Sequence, residues 1–172
     1  MHLIRGYIAT TLDGFIADPE GRVGFLDPYG AEEAGYADFI AKIGTIVMGR
    51  LTYEAVREMG AWPYEGKRCL VVSSRALGPL PADTTAWTNG VDALIGHLRA
   101  LEEETDAWVL GGGRLQQAFL DRDALDRLEL FVVPVILGRG LPLFPGTDVR
   151  QTLRLVDAGR VGEIARLVYE RG

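Results

Sequence analysis

The chain alternates short apolar runs of strand length with longer stretches whose apolar residues recur at helical spacing. After a strand over residues 3–10, the pattern predicts helices over 31–43 and 51–59, with a short buried strand over 45–49 between them. It continues through "RCLVVS", "TTAWT", "GVDALIGHLRALEEE", "AWVL" and "RLQQAFL". Strands joined through helices run parallel in one sheet. The sequence therefore predicts an α/β fold with a mostly parallel central sheet covered by helices.

From residue 126 the pattern changes. "DRLELFVVPVIL" predicts a long strand, "GRGLPLFPG" a loop, and "QTLRLVDAGRVGEIARLVYERG" two strands around a glycine turn. A C-terminal antiparallel hairpin is therefore expected to close the sheet. Because no repeat, low-complexity tract or linker interrupts the 172 residues, the whole span 1–172 is predicted to be a single domain.

The charge balance limits the class of partner. The formal net charge is -6 and the pI is about 5.0, whereas nucleic acids and anionic membranes select for dense Lys and Arg patches. We therefore expect a small-molecule ligand, with neither nucleic acid nor membrane as a partner. No apolar run approaches the roughly 18 residues of a membrane span, and the N-terminus lacks a signal-peptide pattern, so a cytoplasmic location is expected.

Few residues could support metal or disulfide chemistry. The only cysteine, Cys69, cannot form an internal disulfide, and its apolar neighbours predict a buried, unreactive thiol. The two histidines, His2 and His97, have no Cys or His partner at ligand spacing. We therefore expect no structural zinc site, no zinc deaminase centre and no other metal site.

Three strand-to-helix junctions place small or hydroxyl residues and an arginine directly after a buried strand, in "VMGRLTYE", "VVSSR" and "VLGGGRLQ". In a parallel sheet all three lie at the carboxyl edge, where they can face one crevice. Free N–H groups at a helix start bind phosphate, and glycine lets the phosphate approach the main chain. The junctions together therefore predict a site for an anionic ligand.

The motifs that are missing narrow the ligand. The chain has no P-loop pattern, and Gln116 stands where a dinucleotide fingerprint would have its third glycine. After the strand at 68–73, Ser73, Ser74 and Arg75 occupy the place where an NAD site usually has an acidic residue. Hydroxyl groups and a guanidinium group suit a 2′-phosphate instead, so NADPH is the favoured cofactor.

The ordered set "TTLDGFIADPEG", "VMGRLTYE", "VVSSR", "VLGGGRLQQAFL" and "LELFVVPVILGRGLPLF" resembles the dihydrofolate reductase superfamily, specifically its branch like the RibD C-terminal reductase domain of riboflavin biosynthesis. The resemblance spans residues 3–170. It implies a three-layer α/β/α sandwich and NADPH-dependent hydride transfer. It also implies a cis peptide between the first two glycines of the "GGG" run, and a homodimer built at least partly from the late strands.

The resemblance also implies roles for individual residues. The residues expected at the cofactor's phosphates are Gly49, Arg50 and Thr52, and those expected at its 2′-phosphate are Ser73, Ser74 and Arg75. The residues expected along the pyrophosphate and nicotinamide are Gly111, Gly112, Gly113, Arg114 and Leu115. Residues 12–24 resemble a mobile loop that closes over nicotinamide and substrate, with Ala9, Ile16 and Ala17 near the reactive ring. The alternative is that 12–24 is an ordinary surface loop.

No proton donor stands out. By resemblance to the helix that holds pterin in dihydrofolate reductases, Glu32, Glu33 and Asp38 are candidates, but their register on that helix does not match well, and each is more typical of a solvated helix charge. Asp13, in the "LDG" turn, is another, although Asp-Gly is also a common turn sequence. Trp62 and Tyr64, in "GAWPYEGK", are candidates to stack on a heterocycle, with core packing as the alternative.

The expected function is an NADPH-dependent reductase of a small heterocycle, similar to the 5-amino-6-(5-phosphoribosylamino)uracil reductase of riboflavin biosynthesis. The deaminase half of the bifunctional riboflavin enzymes is missing from this chain, so its substrate can differ from theirs. A dihydrofolate or pterin reductase, and a nucleotide-binding protein without turnover, remain the alternatives.

Overall fold

The apolar runs form the strands, and the stretches with helical spacing form the helices. The computed structural model describes residues 2–30 and 35–172. In chain order the elements are β1 (Ile4–Thr11), β2 (Phe15–Ala17), a 3-10 turn (Gly24–Leu26), α1 (Tyr36–Ala41), β3 (Ile43–Gly49), α2 (Arg50–Glu58), β4 (Arg68–Val72), β5 (Thr84–Trp87), α3 (Gly90–Arg99), β6 (Asp106–Gly111), α4 (Gly113–Leu120), β7 (Arg127–Val133), β8 (Leu141–Pro142), β9 (Leu153–Val161) and β10 (Ile164–Arg171).

One eight-stranded sheet, in the order β5-β4-β3-β6-β1-β7-β10-β9, forms the centre of the molecule. Pairing is parallel from β5 to β7, and β10 and β9 add antiparallel strands at one edge. The predicted mostly parallel sheet with a C-terminal antiparallel hairpin is therefore confirmed. β2 and β8 form a second, small antiparallel sheet, which the sequence did not predict because these strands are only 3 and 2 residues long.

Helices cover both faces of the sheet, which gives the predicted three layers. Alternate residues of β3 point to opposite faces, so Val47 packs with α3 and α4 while Ile46 and Met48 pack with α1 and α2. The helix residues that complete the two cores are Leu94, Leu98, Phe119 and Leu120 on one face, and Phe39, Tyr53 and Val56 on the other.

Some predicted boundaries were wrong. The helix predicted over 31–43 is described from Tyr36 to Ala41, and Ile43 already pairs with β6; residues 31–34 lie outside the described part. The helix predicted to reach residue 104 ends at Arg99. β7 ends at Val133 because the next residue, Pro134, has no N–H to continue a ladder.

Cys69 lies in the core with 0% of its surface exposed, as predicted. Burial raises the pKa of its thiol to about 11, which keeps the sulfur protonated and unreactive at neutral pH. Among residues 2–30 and 35–172, no helix has the length and apolar character needed to cross a membrane.

α4 packs on β6, and the core it forms also takes in Leu128 of β7 and Tyr169 of β10; beyond these residues the same sheet face continues along β7, β10 and β9. Register places Leu130, Leu167 and Ala158 side by side on this face, and Leu155 follows next to Tyr169. Leu155 is 51% exposed, and Leu130 and Leu167 are only partly buried. An apolar sheet face of this kind is typical of a subunit interface.

We expect two copies of the chain to pack through this face. Sedimentation at micromolar concentration should give twice the 18.8 kDa mass of one chain, and Leu155→Glu should shift the protein towards the monomer because a carboxylate would be buried without a partner. Met59→Glu, at a residue that is 68% exposed on the end of α2, is the matched control and should leave the mass unchanged. A wild-type monomer would contradict this expectation.

Candidate functional site

The crevice predicted from the sequence would lie at the carboxyl ends of β3 and β6, which are neighbours in the sheet. α2 leaves β3 towards one face of the sheet, and α4 leaves β6 towards the other. This divergence is the topological switch point at which α/β sheets bind ligands. β4 and β1 flank the pair, so all three predicted junctions end along the same edge.

Gly49 and Gly112 form the floor of the crevice. A Cβ atom built on Gly49 would lie 3.8 Å from the carbonyl oxygen of Gly111 and 3.9 Å from the nitrogen of Gly112. One built on Gly112 would lie 3.6 Å from Oγ1 of Thr52 and 4.0 Å from Cδ1 of Ile16. The structure therefore brings five of the predicted residues together around bare backbone.

The three glycines of the run have three different environments. Gly111 has a φ of +135°, which other residues rarely adopt, and its bond to Gly112 is cis, as predicted. At Gly112 an added Cβ would make only ordinary contacts. At Gly113 it would lie 2.3 Å from the carbonyl oxygen of Pro142, so this glycine is required by close backbone packing.

Two helices begin at the crevice. Gly112 is the N-cap of α4, and its carbonyl accepts the N–H groups of Leu115 and Gln116 at 3.0 and 3.1 Å. Gly49 is the N-cap of α2, and Nη1 of Arg50 bonds to the Glu54 carboxylate at 2.6 Å. The first N–H groups of a helix have no acceptor within it, so both starts can hold an anion.

The three residues predicted to bind the 2′-phosphate, which follow β4, differ in their surroundings. The Ser73 hydroxyl is buried and bonds within its own loop, accepting from the Arg75 N–H at 3.0 Å and donating to the Arg75 carbonyl at 2.8 Å. Ser73 therefore shapes the loop. The side chains of Ser74 and Arg75 are exposed, and no ion partner of Arg75 occurs within the described part of the chain. These two remain available to a ligand.

The segment 12–24 forms a wall of the crevice. β2 pairs with β8, and a Cβ atom at Gly140 would lie 2.2 Å from the carbonyl oxygen of Ala17, which shows how closely the two backbones approach. Ala17 is buried, whereas Ala9 and Ile16 are partly exposed. Ile16 lies beside the glycine floor, because its Cδ1 is 4.0 Å from the Cβ position built on Gly112.

Asp13 ties this wall to the loop after β7. Its carboxylate accepts the Thr11 hydroxyl at 2.6 Å and the N–H groups of Leu137 and Gly138 at 3.2 and 2.7 Å. The Thr11 hydroxyl, and then these backbone groups, hold the pKa of Asp13 below its ordinary value. An ionised carboxylate engaged in this way does not donate a proton at neutral pH.

The other predicted side chains are spread out. Glu32 and Glu33 lie outside the described residues, Asp38 is exposed on α1 and lines a separate polar cavity, and Arg114 is exposed at the start of α4. Leu115 packs in the core instead of facing the crevice.

The two aromatic candidates for ring stacking pack on other aromatic rings. The Tyr64 ring is buried edge-on against Trp62 and Trp108, and Trp62 also packs against Tyr53. Core packing therefore accounts for Trp62 and Tyr64. Within the described residues no group of His, Cys, Asp and Glu side chains could hold a metal ion.

The model of a family described as the RibD C-terminal domain matches residues 3–165. Among similar sequences, the uncharacterized protein YwjB of Bacillus subtilis (strain 168) is 34% identical over 167 residues, covering 96% of this chain and 95% of YwjB. The uncharacterized protein YyaP of the same organism is 26% identical over 176 residues, covering 94% and 91%.

Solved structures share the fold. A putative riboflavin biosynthesis protein from Shewanella sp. PV-4 superposes with a TM-score of 0.85 at 25% identity, covering 100% of this chain and 99% of that one. A diaminohydroxyphosphoribosylaminopyrimidine deaminase/5-amino-6-(5-phosphoribosylamino)uracil reductase from Thermotoga maritima gives a TM-score of 0.73 at 16% identity, covering 99% of this chain but 57% of that protein. This last similarity is one of fold.

Asp13→Ala should release the loop after β7, because three hydrogen bonds lose their acceptor. We expect faster amide hydrogen exchange at residues 137 and 138, measured by mass spectrometry, and a smaller effect for Asp13→Asn, whose amide oxygen can still accept. The pKa of Asp13 lies below its ordinary value, so the wild-type contacts persist at neutral pH and are lost as the pH falls through that lowered pKa.

Asp27→Ala is the control for this experiment. Asp27 is exposed, and its carboxylate makes no hydrogen bond within residues 2–30 and 35–172. If Asp13→Ala leaves exchange at 137 and 138 as slow as Asp27→Ala does, the carboxylate does not hold the loop.

Proposed function

Because the chain belongs to the RibD C-terminal domain family, a family of reductases, we propose that it reduces a small heterocyclic substrate with NADPH as the hydride donor. The observation that carries the proposal is the glycine floor between two helix starts, with Gly49, Gly112, Thr52 and Ile16 around it. This arrangement fits the pyrophosphate of a dinucleotide, because bare backbone lets the phosphates reach the free N–H groups.

The rest of the cofactor extends along the carboxyl edge of the sheet. Ser74 and Arg75 would bind the 2′-phosphate, with Ser73 fixing their loop. Towards β1, Ala9 and Ile16 would contact the nicotinamide ring. A dinucleotide laid across β4, β3, β6 and β1 would in this way contact four neighbouring strands of the sheet.

When bound, NADPH supplies the hydride. The chain's own residues orient the ring and exclude water. Segment 12–24 covers the crevice, and its position is held by the Asp13 bonds to Leu137 and Gly138 and by the bond from the Leu143 N–H to the Gly14 carbonyl at 2.9 Å. We assign Asp13 a positioning role because its hydrogen bonds favour the ionised form.

The substrate we propose is an aminopyrimidine related to that of the Thermotoga protein, and pterins form the second class. The test is to follow the absorbance of NADPH with purified protein and a panel of both classes. Oxidation with any member supports a reductase. Tight NADPH binding without oxidation across the panel would favour a nucleotide-binding protein without turnover.

NADPH should bind more tightly than NADH. The loss of a charge-assisted phosphate contact costs on the order of 1.5–3 kcal/mol, which corresponds to roughly tenfold to a hundredfold in affinity. Fluorescence titration of both cofactors should show this difference in the wild type, and Arg75→Ala should reduce it. Arg150→Ala, an exposed arginine in a late loop, is the control. Equal affinities for NADPH and NADH in the wild type would show that Arg75 does not bind a 2′-phosphate.

Substitutions at two neighbouring glycines should distinguish an effect on NADPH binding from an effect on folding. Gly112→Ala should keep the fold, because the new methyl group makes only ordinary contacts, but should weaken NADPH binding by occupying the cofactor's place. Gly113→Ala should lower the thermal midpoint, because the overpacking against Pro142 costs about 1–3 kcal/mol. Unchanged NADPH affinity in a folded Gly112→Ala protein would contradict the proposed placement.

A further inference from the structure

A second cavity, with a volume of about 270 Å³, lies between α1 and the amino-terminal halves of β1 and β7. Its lining includes four cationic side chains but only two carboxylates. The cations are Arg5, Lys42, Arg127 and Arg166, and the carboxylates are Asp38 and Glu129. The cavity therefore has an excess of positive charge in its wall.

Glu129 is shared among the three arginines. It accepts hydrogen bonds from Arg5 and, at 2.7 Å, from Nη2 of Arg166, and it lies 3.7 Å from Nε of Arg127. Burial raises the pKa of Glu129, but the two bonded guanidinium groups outweigh this and hold the pKa below its ordinary value. Glu129 is thus ionised, and each of its two oxygens accepts a hydrogen bond from a different arginine.

Three further acids bond to the arginines from outside the cavity. Asp106 bonds to Arg5 at 3.0 Å, Asp157 to Arg166 at 2.6 Å, and Glu170 to Arg127 at 2.8 Å, but none of these three lines the cavity. Each of these bonds uses an outer nitrogen, Nη1, of its arginine. None of these three bonds uses the Nε atom of its arginine.

Two of these Nε groups lack an acceptor. Within residues 2–30 and 35–172, the Nε atoms of Arg5 and Arg127 are buried and have no hydrogen-bond partner, and Arg5 as a whole is only 8% exposed. A buried N–H without an acceptor is destabilising, and more so when the donor is charged. Lys42 adds an ammonium group for which the described residues provide no carboxylate within ion-pair distance. Because guanidinium and ammonium groups only donate, the missing partner is an acceptor.

This cavity is separate from the proposed cofactor crevice. Arg5 precedes Ala9 by four residues on β1, which corresponds to about 13 Å of extended strand. Between them the Tyr7 ring stacks on Phe39 at 4.1 Å and packs against Phe131 at 4.5 Å. These rings divide the two spaces.

We propose that this cavity is a second ligand site that takes an oxyanion, the phosphate or carboxylate group of a small molecule. The oxyanion pairs with the Lys42 ammonium group and with the arginine side chains that line the cavity, while the Phe39 ring supports the Arg5 guanidinium group, whose central carbon lies 5.0 Å from the ring centre. Anion binding at this site requires neither NADPH nor turnover, so it can be tested independently of the proposed reductase activity.

The test compares sodium phosphate and sodium acetate with sodium chloride at equal ionic strength, by thermal melting and by titration calorimetry. Lys42→Met is the informative variant because Lys42 is exposed and its loss leaves the buried ion pairs intact. Arg150→Met removes the same charge elsewhere. We expect one or both oxyanions to raise the melting temperature of the wild type and of Arg150→Met, with about fivefold weaker binding in Lys42→Met.

Two further measurements locate the bound anion. The Nε–H resonances of Arg5 and Arg127, followed by NMR, should shift during the titration, and Arg75→Ala should retain the binding. Stabilisation by phosphate alone identifies a phosphate site, and stabilisation by acetate as well identifies a site for carboxylates too. The proposal is overturned if neither anion stabilises the wild type beyond chloride, if Lys42→Met binds like Arg150→Met, or if Arg75→Ala abolishes binding.

Discussion

The parallel pairing of β3 with β6 is the contact on which the rest of the molecule depends. Val47 lies opposite Val109 and Met48 opposite Gly111, and the valine pair and Met48 have no exposed surface. This pairing places Gly49 beside the glycine run, although the two are far apart in the sequence. Because α2 and α4 leave towards opposite faces, the pairing also opens the crevice that the proposed function uses.

The two ends of the sheet differ in chemistry. At the carboxyl end, bare backbone and two helix starts lie beside the exposed Arg75 and Arg114. In the amino-terminal halves of β1, β7 and β10, Arg5, Glu129 and Arg166 form a buried ionic cluster. Removal of one partner from such a cluster typically costs about 3–5 kcal/mol, because the remaining charge is left buried. The cluster links three strands, and its side chains form part of the lining of the cavity beside α1.

The glycine run shows why residue type alone is an incomplete guide. "GGG" predicted a site where the backbone must be bare, and the structure gives each glycine its own reason. Gly111 has a positive φ, Gly112 faces Thr52 and Ile16 across the crevice, and Gly113 packs against the carbonyl of Pro142. Two of the three therefore serve the backbone of the fold, and Gly112 is the one free to serve a ligand.

The sequence by itself determined the order and type of the main elements, because strand and helix periodicities depend on local spacing. It also located the three junctions at one sheet edge, since parallel strands end together. Only the tertiary structure decided that Ser73 bonds its own loop, that Asp13 holds Leu137 and Gly138, and that Tyr64 lies in the core. It alone brought Arg5, Glu129 and Arg166 together. These outcomes depend on contacts between residues distant in the chain or on the exact path of a loop, neither of which leaves a periodic signal in the sequence.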